Sequence, residues 1–298
     1  MTTLGSDLVN LISAGLHNFT EDTEALATLL TPLAGTAGTT TFTTDNLGFG
    51  IGVYEIDSEL VFVSAFNNTT GVATIPPWGR GYQGTTVAAH AAGAMIALTP
   101  RWPKARILQV INDVIGSLDG ELYAIRSTEI SPQLPVSTYA LPADCTGVLQ
   151  VTQQTIGPTL EWRRIFHWRQ DLQADPTSFA NGTAITFNCA LEPNRPIRVT
   201  YQGTLATIGL TDDFVAVSGL AQSCQEILVL GAQYRMILAT DLGRLQSSSV
   251  QQDDQSQRAP VTSATKIATQ LKQLFDLRVD DEKRRLMKLT DQLTSFSR

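Results

Sequence analysis

The chain has 298 residues, with 21 Lys and Arg against 28 Asp and Glu, a formal charge of −7, and 43% apolar residues. That length buries a substantial core and suggests two or three domains at about 100 to 200 residues each. Only 16% of residues are charged, against roughly 25% in an average globular chain, which suits a protein that covers much of itself with neighbours. Net negative charge excludes a generally basic nucleic-acid binder. The opening MTTLGSDLVNL has no basic stretch leading into an apolar one, and no apolar run approaches the roughly 18 residues of a membrane span, so neither export nor a membrane is expected. Cys145, Cys189 and Cys224 are odd in number and far apart, which predicts free buried thiols and no disulfide framework.

In chain order, Ser6 caps a short helical pattern through Leu16, and a second helix is expected from Glu21 to Leu30, stopped by Pro32 and Gly35. The apolar period then changes to two. Thr39–Thr43, Gly52–Ile56, Leu60–Ala65 and Val72–Ile75 read as strands, with Asn67–Gly71 a hairpin loop and Met95–Leu98 a closing strand. The Ala-rich stretch around His90 is a short helix or a close-packed turn. From Thr99 to Arg126 the helical period returns: Ile107, Ile111, Val114 or Ile115, Leu118 and Leu122 form one apolar stripe, and Pro103 fits the first turn.

Beyond it, Val136–Leu141, Gly147–Thr152, Leu160–Phe166, Ala184–Asn188 and Ile197–Tyr201 are expected strands separated by Pro, Asp and Asn turns. Trp162 and Trp168 would seal that sheet, line an interface or offer a stacking platform. Leu220–Leu242 is helical again and is the natural partner of the Ile111 stripe. A polar connector, 246–261, leads to a last helix with Leu271, Leu274, Leu286, Leu289, Leu293 and Phe296 apolar. If unbroken, that helix spans about 45 to 50 Å, and the excess length must touch a neighbour; a break near Val279–Asp281 would shorten it.

Motifs for chemistry are sparse. There is no P-loop, H-E-x-x-H, G-x-S-x-G or C-x-x-C. The run GRGYQG (79–84) has glycines for an anion-cradling turn but no P-loop Lys. Asp57 and Glu59 are spaced for one face of a strand and would suit paired acid and base work, yet their surroundings favour a solvated edge or an intersubunit salt bridge. His90, alone among alanines, reads as a structural hydrogen-bonding residue.

The order of parts carries more than any motif. The helix PKARILQVINDVIGSLDGELY (103–123), the run VSTYALPADCTGVLQV (136–151), a β-insertion, the helix CQEILVLGAQYRMIL (224–238) and a long terminal helix together resemble the head-to-tail adaptor (head completion, or connector) proteins of tailed bacteriophages. Residues 56–94 resemble a small β-module that recurs in structural proteins of such phages. The expected fold is α+β: a helical bundle with a long C-terminal helix carrying a β-sandwich-like insertion, plus a small N-terminal β-module. The parts would be an arm (1–35), a β-module (36–98), a helical body (99–127 and 218–298) and the insertion (128–217).

The resemblance implies a virion protein of the head-tail junction, assembled in the host cytoplasm. It would be no enzyme and need no cofactor or metal, and it would form a ring, usually twelvefold, below the portal. Its partners would be its own copies, the portal protein and a downstream stopper or tail protein, with double-stranded DNA passing the lumen without specific binding. Lys104 and Arg106 become candidates for contact with the next subunit; Trp162, Trp168, Leu286, Leu289, Leu293 and Phe296 are further interface candidates, and 264–298 would face the portal. Alternatives are a tail-terminator or baseplate component, a carbohydrate-binding module using Trp162 and Trp168, and a hydrolase built on Asp57 and Glu59. Replacing Ile111 by Asp would bury an unpaired carboxylate at a cost of several kcal/mol; loss of soluble expression is expected, and a soluble, assembly-competent variant would refute the buried stripe.

Overall fold

The computed structural model describes residues 2–17, 25–46, 48–133, 135–155, 161–248 and 262–294, with backbone alone at 240–248, 262–265 and 291–294. The chain is mixed α+β, with antiparallel strand pairing in several small sheets. It divides into two compact units, each discontinuous in sequence: Ser6–Ile111 with Ala232–Ala268, and Met1–Gly5 with Asn112–Gly231 and Thr269–Arg298.

The first of these units holds most of helix α1 (Gly5–His17) and seven strands: β1 (Ala25–Thr28), β2 (Thr41–Thr43), β3 (Gly52–Ile56), β4 (Glu59–Val63), β5 (Ala65–Asn67), β6 (Val72–Thr74) and β7 (Met95–Leu98). They form a four-stranded sheet ordered β1-β7-β3-β4 and a three-stranded sheet ordered β2-β6-β5. One apolar cluster draws on both: Phe42 and Ala73 from the small sheet, and Ala27, Tyr54, Ile56, Val61, Val63 and Ile96 from the large one. Phe42 and Ala73 are buried between more exposed neighbours, as the period of two requires, whereas β3 and β4 are largely buried on both faces, with Glu55, Glu59 and Leu60 also inside.

The helix expected from Glu21 to Leu30 is corrected here. Residues 21–24 lie outside the described residues, and Ala25–Thr28 is a strand, pairing with β7 from Ala25↔Leu98 to Thr28↔Met95. Intrinsic helix preference differs by only a few tenths of a kcal/mol per residue, so the ladder to β7 and the burial of Ala27 decide the conformation.

Helix α2 (Lys104–Leu118) is shorter than the run Thr99–Arg126 suggested. Gly120 takes φ 90°, the left-handed conformation that stops helices, and Ala124–Ile130 forms strand β8. The stripe is nevertheless buried throughout, Leu122 included. At the helix start the Lys104 backbone N–H donates to Glu55 Oε1 at 2.7 Å, so a buried carboxylate from β3 serves one of the N–H groups that the helix itself cannot satisfy.

The second unit carries β8, β9 (Thr138–Ala140), β10 (Cys145–Gln154), β11 (Trp162–Arg164), β12 (Trp168–Asp171), β13 (Ala184–Phe187) and β14 (Ile197–Gly203). They build a four-stranded sheet, β11-β10-β14-β8, and a three-stranded one, β12-β13-β9. Val151, Ile197, Val199 and Tyr201 of the first share an apolar cluster with Ile185 and Phe187 of the second. Sequence periodicity located five of these strands and missed β8 and β12.

Short helix α3 (Phe214–Ser218) is capped by the Asp213 carboxylate, which accepts from the Val215 N–H. Helices α4 (Gln225–Ser248) and α5 (Thr262–Thr294) follow. The expected connector lies, beyond Ser248, outside the described residues. Helix α5 runs 33 residues without a break at Val279–Asp281, a length of about 50 Å.

Three helices meet at Gly231 of α4. A Cβ there would stand 2.9 Å from Phe275 Cε2 of α5 and 2.9 Å from Val114 Cγ1 of α2. Glycine costs a helix about 1 kcal/mol against alanine, and here it admits the close approach of both neighbours. Gly116 of α2, by contrast, has nothing within 4 Å of its would-be Cβ. Chemical denaturation therefore separates the two positions: Gly116→Ala is expected to stabilise by about 0.4 to 1 kcal/mol, and Gly231→Val to destabilise by about 1 to 3 kcal/mol through overpacking.

Candidate functional site

The most highly built polar cluster sits on the β3–β4 hairpin. Glu59, the first residue of β4, has a fully buried side chain, as does Arg80. Arg80 donates from Nε to Glu59 Oε1 at 2.7 Å and from Nη2 to Oε2 at 3.0 Å, a bidentate pair. The Gly81 N–H donates to Oε1 and the Ala88 N–H to Oε2, both at 2.9 Å. Arg80 spends its remaining donors on the carbonyls of Ala34, Thr36 and Ala88. His90 bridges the two acids, with Nδ1 2.7 Å from Asp57 Oδ2 and Nε2 3.0 Å from Glu59 Oε2.

Two sequence expectations change accordingly. Asp57 and Glu59 are not partners on one strand face: Asp57 is an exposed turn residue at φ 56° and Glu59 lies in the interior. The reading of both as a solvated edge or an intersubunit bridge fails for Glu59, whose partners are all internal. The expectation for His90, a structural hydrogen-bonding residue, agrees with its two contacts. One glycine of GRGYQG, Gly81, does hold an anion, and it is the chain's own Glu59. Gly79 is required there, because a Cβ would stand 2.6 Å from the Phe62 carbonyl oxygen, and Gly81 adopts φ 61°.

Burial alone would raise the Glu59 pKa. Hydrogen bonds from Arg80, the Ala88 amide, His90 and the Gly81 amide outweigh it and hold the carboxyl at about 2, against an ordinary 4.5. A carboxylate so fully occupied has no lone pair left for acid or base catalysis.

The same loop carries an aromatic group on its outer side. The Trp78 ring stacks on Phe62 of β4 at 4.9 Å between centroids, and Tyr82 stands 5.5 Å from Phe62. Trp78 remains 60% exposed. This cluster escaped sequence reading because its members are 4 and 16 residues apart, and only the clamp on Arg80 brings 78 and 82 against β4.

In the other unit, Asp144 of the run TYALPADCTGVLQV joins three strands' ends. Its carboxylate accepts from Arg126 Nη1 at 2.9 Å and from the Tyr201 hydroxyl at 3.2 Å, and its carbonyl accepts from the Thr204 N–H. Burial first, then the Asp144 charge, pushes the neighbouring Cys145 thiol up to about 11, so it is inert as a nucleophile.

The predicted interface residues are dispersed. Lys104 is half-buried at the start of α2, and Arg106 is exposed, bonded to Gln109. Trp162 lies on β11 beneath the Arg198 guanidinium, 4.0 Å from its ring centroid. Trp168 is partly buried against the two-sheet cluster. Leu286 is buried, Leu289 half-buried, the Leu293 side chain is not among those described, and Phe296 lies outside the described residues. Among the described side chains of α5, the exposed large apolar ones are Leu274, Leu277 and Met287. Elsewhere α5 is tied down: Arg278 pairs with Glu226, Lys283 with Glu121, and Glu282 accepts from Ser223. Among the described residues no His, Cys, Asp and Glu group is arranged to hold a metal ion, and no helix is long and apolar enough to cross a membrane.

A family model described as SU10 adaptor protein matches residues 85–290, more than half of the chain, and the chain belongs to that family. The family makes it a phage adaptor-type protein, a structural component of the virion. No curated protein matches it. The match begins after Arg80 and Tyr82, so the clamp and the aromatic group lie mostly outside the shared portion.

The clamp makes a pH-dependent stability expected. With the folded carboxyl at about 2 and the unfolded one near 4.5, its contribution is complete above about pH 4.5 and is lost as pH falls toward 2. Glu59→Gln should lower stability at pH 7 by about 3 to 5 kcal/mol, since Arg80 stays buried without its counter-charge. Urea melts across this pH range should show the gap between variant and parent closing toward pH 2; a constant gap would contradict the clamp.

Proposed function

We propose that the protein is a head-to-tail adaptor: a ring of copies seated below the portal, joining capsid to tail and leaving a lumen for DNA. The observation that carries the reading is membership of the adaptor family across 85–290. Helix α5 supports it. Over about 50 Å it offers Leu274, Leu277 and Met287 outward, apolar positions that a lone chain would leave in water and a neighbour would cover. The net charge of −7 suits passage of DNA, because attractive phosphate contacts would retain it.

In this reading α2, α4 and α5 form the ring body, and the sheets of 124–203 project from it. The segment from Ala264 onward meets the portal, Lys104 and Arg106 meet the next subunit, and a stopper or tail protein docks on the opposite side. The role is geometric, and no catalytic step is assigned to any residue.

Mass measurement tests it. The purified chain is expected to be monomeric or weakly associated alone and to form a closed ring when mixed with the portal protein of the same phage. Replacing Leu277 and Met287 together by Glu should abolish the ring and leave the melting temperature of the free chain within a few degrees, since both side chains are exposed. Failure of the parent chain to associate with the portal would overturn the adaptor reading.

A further inference from the structure

We infer that the Phe62, Trp78 and Tyr82 cluster is a binding ledge for a neutral carbohydrate, with Trp78 as the stacking residue. The first ground is preorganisation. The ledge is fixed from behind: the Phe62 N–H donates to the Gly79 carbonyl at 2.8 Å, and the residue between Gly79 and Gly81 is Arg80, clamped on Glu59. Trp78 has one ring face stacked on Phe62, while its residue remains 60% exposed. An immobilised, half-stacked indole presents a π-face to solvent at no further entropic cost, which is the surface that the C–H groups of a pyranose ring pack on.

The second ground is charge. From Leu60 to Ala94 the only charged or basic side chains are Arg80 and His90, and both are buried in the clamp. In sequence, Tyr82 is followed by the exposed Gln83 and Thr86, an amide and a hydroxyl. Stacking on nucleic-acid bases needs cations for the phosphates, and this stretch exposes none. A ligand rich in hydroxyls and free of charge matches both the rings and their surroundings.

The third ground is size. Trp78 is 60% exposed and Phe62 and Tyr82 are half-buried, so rings of about 150 to 250 Å² each leave at most a few hundred Å² open, against about 800 Å² per partner in a stable protein interface. A short run of sugar rings fits that area and a protein partner does not. Trp162, the sequence-level candidate for stacking, already has a guanidinium over its ring.

Affinity electrophoresis of the full chain in native gels containing a soluble β-glucan, a galactomannan or a dextran tests the inference, beside an array of neutral oligosaccharides. Retardation by at least one of these is expected. Trp78→Ala should weaken it about tenfold or more with unchanged circular dichroism, and Trp162→Ala should leave it intact. Raising NaCl from about 0.05 to 0.5 M should change the affinity less than about twofold. Absence of binding to every glycan, binding that survives Trp78→Ala, or binding lost in salt would each overturn the ledge. So would a change of the chain's own mass in Trp78→Ala without any glycan effect, which would make the cluster a contact between copies. These outcomes are independent of whether the chain assembles on a portal.

Discussion

The β-module is organised by one buried ion pair. Glu59 and Arg80 are both wholly removed from water, and neither would be tolerated there alone, because an unpaired buried charge costs several kcal/mol. Each hydrogen bond that satisfies the pair also fixes backbone: Gly81 and Ala88 through their amides, Ala34, Thr36 and Ala88 through their carbonyls. The pair thus gathers the loop after β6, the Ala-rich stretch before β7 and the segment after β1 onto one hairpin. A hydrophobic replacement of equal volume would fill the space and lose this directionality, because apolar contacts do not select which amide faces inward.

What could be read from sequence follows the range of the interaction concerned. Local sequence was enough for β3, β7, β13 and the α2 stripe, because the apolar residues that mark them lie within the elements themselves. It failed where a distant partner decides. Ala25–Thr28 is a strand because β7 is beside it, and Ala124–Ile130 is β8 because β14 offers a seven-residue ladder from Ala124↔Gly203 to Ile130↔Ile197. The clamp was half visible. GRGYQG and the acids of 57–59 each stood out, but nothing in the spacing of residues 59, 80 and 90 announces that they meet. The aromatic cluster was invisible for the same reason, while the more conspicuous Trp162 and Trp168 belong to sheets that already occupy them.

The family match and the internal architecture divide the chain differently. The matched span, 85–290, includes α2, β8 to β14, α3, α4 and nearly all of α5, together with the Asp144 cluster that ties Arg126 to Tyr201. It leaves β1 to β6 outside. The portion left outside carries the Phe62, Trp78 and Tyr82 group, whereas the exterior of α5 is ion-paired.

The two compact units also set an order of events during synthesis. Thr3 and Gly5 bond to Phe214 and Asp212, and the unit that contains them includes Thr269–Arg298; the other unit includes Ala232–Ala268. The first waits for Thr269–Arg298 and the other for Ala232–Ala268, and such long-range closure is slow. The core of the β-module, drawn from residues 27–96, needs no later segment and can close while the rest is still being made. The nascent chain can therefore carry a closed β-module core while segments 232–268 and 269–298 are still to be made.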